Sequence, residues 1–468
     1  MTATAAAPAP VEHSARTRVL LDGPIAATLL RLAWPNVLVM FAQAATGLIE
    51  TFWVSRLGID ALTGMALVFP GIMLMQMISN GAMGGGISSA VARALGGRRR
   101  DEADALVIHA IVIDVALGAL FTVLALLFGR QLYTALGGHG ASLDAALKYS
   151  NVVFAGMVLV WLSAALTSVI RGTGNMLVPA LVICGGVVLL IPLSPCLIFG
   201  IGPFPALGIA GGGVALIAFY AAANVVLGWY LLSGRAGLRV HAARLRWPLF
   251  HEILRIGAVA AVTTVQSNLT IAITTAFVGH RFGTDAVAGY GTGARLEYLL
   301  VPLAFGVGGP LVAMVGANIG AGNRTRAVRV AFTGAAIAFA MTEVVGIAAA
   351  LRPDAWLRLF GDEPRMLAAG GAYLRAVGPF FGFFGAGMAL YFASQGAGRL
   401  AWPLLASTTR FLAATVGGWA LLQLTGSMSG LFAALAVGLV LVGTVNALAI
   451  ARGAWFPAAR AVLPANSV

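Results

Sequence analysis

The sequence predicts an all-α integral membrane protein: twelve transmembrane helices in two pseudo-two-fold related six-helix lobes around a central cleft. Three observations lead there. The 468 residues are 60% apolar and only 10% charged, with 60 glycines and a mean hydropathy of +0.93. A soluble domain is about a quarter charged, so an ordinary soluble enzyme, a disordered chain and a disulfide scaffold are excluded. Apolar stretches then recur at the ~20 residues that a bilayer requires of a helix. Finally, the chain repeats itself at an offset of about 224 residues, as transporters built from two homologous halves do.

The spans of the first half are expected at 25–54, 61–94, 104–128, 146–170, 176–200 and 207–233. Those of the second half are expected at 252–279, 285–319, 327–351, 369–395, 402–424 and 429–452. The second and eighth are long and dense in glycine (Gly84-Gly85-Gly86; Gly306 to Pro310), which predicts tilted or locally broken helices. The repeat pairs Leu30-Arg31 with Leu254-Arg255, Leu95-Gly96 with Ile319-Gly320, and Tyr149 with Tyr373. It also pairs Gly172-Thr173-Gly174 with Gly396-Ala397-Gly398. Six spans is an even number, so both lobes share one topology and the axis relating them runs along the membrane normal. The organisation is then a disordered tail at 1–22, an N-lobe at 23–233, a cytoplasmic linker at 234–249, a C-lobe at 250–455 and a C-terminal tail at 456–468. Rocking one such lobe against the other exposes the cleft to alternate sides.

The net charge of +13 does not indicate nucleic acid, because the cations sit in short gaps between apolar stretches. All but Lys148 of the 29 basic residues are arginine. They concentrate in alternate loops (Arg98, Arg99, Arg100; Arg235, Arg239, Arg244, Arg246; Arg324, Arg326, Arg329) and in the tail at Arg460, which places both termini in the cytoplasm. Cys184 and Cys196 have no metal-ligand spacing and read as buried free thiols. His251-Glu252 lacks the second histidine of a zinc-protease helix, and Gly84-Gly85-Gly86 is not followed by the Lys-Ser/Thr of a P-loop. No enzyme, cofactor or metal site is expected.

Residues 22–455 resemble the multidrug and toxic compound extrusion (MATE) family in its bacterial branch. The resemblance rests on Leu32-Ala33-Trp34-Pro35, Glu50-Thr51-Phe52-Trp53-Val54-Ser55-Arg56-Leu57-Gly58, Arg171-Gly172-Thr173-Gly174-Asn175, Phe282-Gly283-Thr284-Asp285-Ala286 and Gln395-Gly396-Ala397-Gly398-Arg399. It implies a secondary exporter in the bacterial inner membrane that exchanges a proton or sodium ion for amphiphilic small molecules, and that works as a monomer. The rival from the same superfamily is a lipid-linked oligosaccharide flippase, whose groove would need several cations for phosphates. Only Arg295, Arg375 and Arg410 are candidates for that.

Acids in lipid are costly and each needs a reason. Glu50 stands where the family usually carries an aspartate, and it is the candidate proton-coupling residue. Gln43, Thr46 and Glu50 share one helical face, and Pro35 removes a backbone donor earlier in the helix, predicting a bend. A carboxyl in a low-dielectric cleft favours its neutral form. The family's second N-lobe acid falls on Leu190 or Ser194 here, and the C-lobe acids of sodium-type relatives fall on Gln266-Ser267 and Phe384. An oxygen cage for sodium is thereby incomplete, and one carboxylate suffices for a proton, so the coupling ion is expected to be H+ in preference to Na+. Asp114 is either a second proton site or an acid bonded within its lobe. Further cleft candidates are Gln266, Asn268, Arg295 and Glu297, with packing or inter-helix bonding as the other reading. Asn36, Asn224 and Glu343 carry no assigned role.

Overall fold

The computed structural model describes residues 13–241 and 244–456. The regular structure of these residues is entirely helical, with no strand among them. Ten helices are long and apolar enough to cross a bilayer: Ile25–Ser55, Ile59–Gly96, Arg100–Ala135, Leu177–Phe199, Ile209–Leu232, Trp247–Phe282, Thr284–Gly320, Arg324–Leu351, Pro364–Ala397 and Met428–Ala451. An eleventh is the pair Gly140–Ala155 and Met157–Gly172, bent by 44°. The twelfth runs without a gap through Ala401–Leu412, a π-helical turn at Ala413–Gly417, and Gly418–Thr425. Numbered in chain order, these are the twelve expected spans. In hydrocarbon every backbone group must be satisfied within the segment, which leaves the helix as the only form open to an unpaired stretch.

The breaks fall partly elsewhere than expected. The second span does break, into a π-helical stretch at Met77–Met83. The eighth is an unbroken helix of 37 residues despite Pro302 and Pro310. Pro310 cannot donate to the Gly306 carbonyl four residues earlier. Asn36 of the first span supplies donors there instead, to Phe305 O at 2.8 Å and Gly306 O at 3.4 Å. The first span likewise runs unbroken through Pro35. The tenth has an unforeseen 3-10 turn at Gly378–Phe380. Glu343 of the ninth span explains itself there: it accepts from Gly382 N at 2.5 Å, while the Thr342 hydroxyl donates to Phe381 O at 2.9 Å. Asn224 ties the sixth span to the fourth through Leu159 O at 2.8 Å.

The expected tail at 1–22 is corrected over its last part. Ala15–Asp22 is a helix whose first turn is capped by Ser14, and Thr17, Leu20 and Leu21 are buried beneath it. The burial of that small apolar face orders a segment whose composition alone read as tail. Residues 1–12, 242–243 and 457–468, with Arg460, lie outside the described residues. The cysteines, both on the fifth span, are free but half-buried rather than buried. The linker after the sixth span docks on the third, whose 36 residues extend about 54 Å, well beyond a ~30 Å hydrocarbon layer. Asp104 accepts from Arg239 N and the His109 ring from Arg246 N, each at 2.8 Å.

Both ends of the described chain lie at one end of the bundle, the terminal end. Asn318 donates to Leu20 O at 3.1 Å, and Trp455 donates to Ser394 at 3.2 Å. The first span crosses between lobes: Leu29 and Ala33 belong to the C-lobe core, Val39 and Val54 to the N-lobe core. The seventh does the reverse, with Leu249 and Ile253 in the N-lobe core and Val278 in the C-lobe core. At the terminal end the second and eighth spans are buried on every side over 82–94 and 310–318. Toward the opposite end each keeps only part of its surface covered, so the lobes splay apart and the cleft opens that way.

The two-fold is visible at the seam. A methyl group on Gly96 would strike the Ala317 carbonyl, and one on Gly320 would strike the Arg93 carbonyl. These four residues are exchanged by the repeat offset, so the two contacts are one contact seen twice. Within the lobes, Gly172 lies on the Ser88 carbonyl and Gly396 on the Val312 carbonyl in the same correspondence. Arg93 closes the seam further, meeting Glu252 of the seventh span at 2.7 Å and Gly396 O at 2.8 Å. Gly320→Val should lower the unfolding temperature of the purified protein, by an overpacking cost of about 1–3 kcal/mol. Gly185→Ala, where a methyl meets open space, should not lower it; equal effects would contradict the seam.

Candidate functional site

Glu50 lies on the inner face of the first span and is 2% exposed. Its carboxyl is enclosed by three other spans of the N-lobe. Ser194 of the fifth lies against it, yet neither the carboxyl oxygens nor the Ser194 hydroxyl completes a hydrogen bond. Gly212 of the sixth gives it room, because a methyl there would sit 2.6 Å from Glu50 Oε2. Tyr149 of the fourth is within electrostatic reach. Among the described residues no cation pairs with Glu50. A buried carboxyl without cation or donor is most costly when charged and least costly when it carries a proton. What this pocket can do chemically is bind and release one proton. Gln43 and Thr46 lie half-buried along the same helix, with Thr46 bonded to its own Ala42 O at 3.0 Å.

The C-lobe builds the corresponding place differently. Tyr373 is the repeat partner of Tyr149, and its hydroxyl donates to Glu297 Oε2 of the eighth span at 3.1 Å. The other oxygen of Glu297 takes Arg410 Nη2 of the eleventh at 2.9 Å. The Arg410 guanidinium also stands 5.5 Å over the Phe384 ring. Each lobe therefore sets a carboxyl beside an equivalent tyrosine, but only the C-lobe carboxyl is neutralised by a cation. Neither Ser194 nor Arg410 stood out as a partner in the sequence; the 224-residue offset that maps Tyr149 onto Tyr373 was the available signal for the second cluster.

The other candidates are scattered. Asp114 is fully buried in the third span with neither oxygen bonded, apart from Glu50. Gln266 joins the seventh span to the eleventh through Thr408 at 2.9 Å. Asn268 is exposed and bonds Thr264 O of its own helix, so it meets no second span. Arg295 is exposed and lies 5.7 Å over the Phe360 ring, pointing away from Glu297's partners.

The MatE family model matches residues 35–196 and 260–420, one stretch in each lobe. A FAD transporter of Shewanella oneidensis is 27% identical over 353 residues, covering 74% of this chain and 77% of that protein. The probable multidrug resistance protein NorM of Deinococcus radiodurans is 30% identical over 67% of this chain and 68% of its own. The probable multidrug resistance protein YoeA of Bacillus subtilis is 25% identical over 88% and 91%. Among solved structures, MATE in the bent conformation superposes with a TM-score of 0.86 at 21% identity, over 93% of this chain and 97% of that one. At that identity the likeness speaks for the fold: twelve helices in two lobes.

The Glu297–Arg410 pair makes a checkable claim. A double-mutant cycle of Glu297→Gln and Arg410→Met, read by unfolding of the purified protein, should give a coupling of about 0.5–3 kcal/mol; strict additivity would remove the pair.

Proposed function

The chain belongs to the MatE family of membrane transporters, which are not enzymes, and from that premise we propose that it is a proton-coupled exporter of amphiphilic or cationic small molecules. The single observation that carries the coupling is Glu50: a carboxyl buried in the N-lobe, close to Ser194 and Gly212, with no cation beside it. Glu297, the C-lobe carboxyl beside the equivalent tyrosine, is already paired with Arg410. One carboxylate with a hydroxyl neighbour is short of the oxygen count that a sodium ion requires, and one is enough for a proton. Protonation of Glu50 from the outside favours cargo release, and loss of that proton to the inside restores affinity.

The arginines exposed at the terminal end support placing both termini and the linker in the cytoplasm, in the bacterial inner membrane. The cleft of this structure then opens outward. The coupling site is complete within one chain, which supports function as a monomer. The flippase reading has little to rest on, because Arg410 is occupied by Glu297 and cannot hold a phosphate. A dinucleotide cargo is a second reading, favoured by the similarity to a protein named as a FAD transporter.

Efflux from reconstituted vesicles tests this. A pH gradient alone should drive export of a cationic dye by the wild type, and Glu50→Gln should abolish it at equal protein content. A sodium gradient that drives export as well would overturn proton coupling, and FAD export in place of the dye would overturn the cargo. Gly212→Ala, which crowds the carboxyl, should slow proton-driven export; full rates there would place the coupling proton elsewhere.

A further inference from the structure

Far from Glu50, at the terminal end, a cavity of about 270 Å³ opens between the N-terminal helix, the end of the second span and the start of the linker. Arg16, Arg98, Arg100, Arg235 and His13 line it, and no carboxylate does. The hydrogen bonds these side chains make are to neutral groups. Arg16 donates to Arg235 O at 3.3 Å and to the Tyr230 hydroxyl at 3.2 Å. Arg98 donates to the His13 ring at 3.4 Å, and Arg100 reaches Gly237 O at 3.5 Å. Among the described residues none of the four guanidinium groups meets a carboxylate within 4.0 Å, although Arg99 beside them is paired with Glu102. Arg98 is also the only described non-glycine residue with a left-handed backbone, φ 60°. The field of the cluster is felt by His13, whose imidazole is held below its ordinary range by partial burial and then by Arg98, against the opposing pull of Asp22.

Four arginines gathered around one space with no anion repel one another, and the repulsion persists within a Debye length of ~8–10 Å. Guanidinium groups match phosphate oxygens in pairs of parallel hydrogen bonds. We propose that this cavity is a binding site for a phosphate-bearing anion, either a free phosphate or the headgroup of an anionic lipid at the same membrane face. The site is placed to matter. The N-terminal helix that supplies Arg16 and His13 lies across the seam: Leu20 packs on Gly174 of the N-lobe, while Leu20 O and Gly23 O receive Asn318 and Arg326 of the C-lobe. A bound anion ties the start of this helix to the N-lobe and so holds the terminal end closed.

Arginine modification by phenylglyoxal, read residue by residue by mass spectrometry on the full-length wild type, tests the site without a variant. Inorganic phosphate at matched ionic strength is one arm; vesicles of phosphatidylcholine with and without phosphatidylglycerol are the other. At about ten times the dissociation constant, labelling of Arg16, Arg98, Arg100 and Arg235 should fall about tenfold, while Arg352 at the opposite end is unchanged. Protection by phosphate alone identifies a soluble ligand, and protection by phosphatidylglycerol alone a headgroup. No protection in either arm, or equal protection of Arg352, overturns the proposal. In the unfolding temperature, Arg16→Gln with Arg98→Gln should erase the rise that the protecting ligand produces; a rise of wild-type size would overturn it too.

Discussion

The arrangement depends on a backbone-to-backbone contact across the two-fold, at Gly96 on Ala317 and Gly320 on Arg93. Helices approach this closely only where a side chain is missing on one of them. The contact is short, so it cannot be loosened by degrees: the lobes are either docked there or parted. Docked, it draws the second and eighth spans together over their terminal halves and leaves the other halves apart, which is what makes a cleft. The first and seventh spans, each sharing its length between both cores, link the lobes. Arg93 with Glu252, and the N-terminal helix lying across the seam, add further contacts between the docked lobes.

The two lobes are related by symmetry at the seam, and they depart from it at the acids beside their tyrosines. Tyr149 and Tyr373 occupy equivalent places, each beside a carboxyl. The Glu297 carboxyl is paired with the Arg410 guanidinium at 2.9 Å and with the Tyr373 hydroxyl at 3.1 Å. Glu50 has no such neighbour among the described residues. Gly212 and the small side chain of Ser194 keep the space around it open. On the proposed reading, the N-lobe is the lobe in which a change of protonation would alter local packing, with the C-lobe cluster as the fixed wall.

Much of this was legible in the residues. The twelve spans and the pairing of halves follow from hydropathy and from the 224-residue offset, since both are periodic signals along the chain; Glu50 stood out as an acid in an apolar span. What was hidden is contact between distant segments. Glu252 was visible only as a poor zinc motif, because its partner Arg93 lies 159 residues away on the opposite lobe. The eighth span's glycines and prolines read as a break, yet Asn36 restores the hydrogen bonding from another helix. The N-terminal helix read as tail because the alanine- and proline-rich stretch before it outweighs the two leucines, Leu20 and Leu21, that dock it. Asn268 shared a helix with Gln266 but not a face, and only Gln266 meets another span.

The central claim is that the charge on one carboxyl selects which end of the molecule is closed. Spin-label distances measured across the terminal end and across the opposite end, in lipid and over a range of pH, test it most directly. In the wild type the two distances should change in opposite senses as pH falls, and in Glu50→Gln both should stay at their low-pH values throughout. Distances that respond to pH equally in wild type and Glu50→Gln would contradict the account.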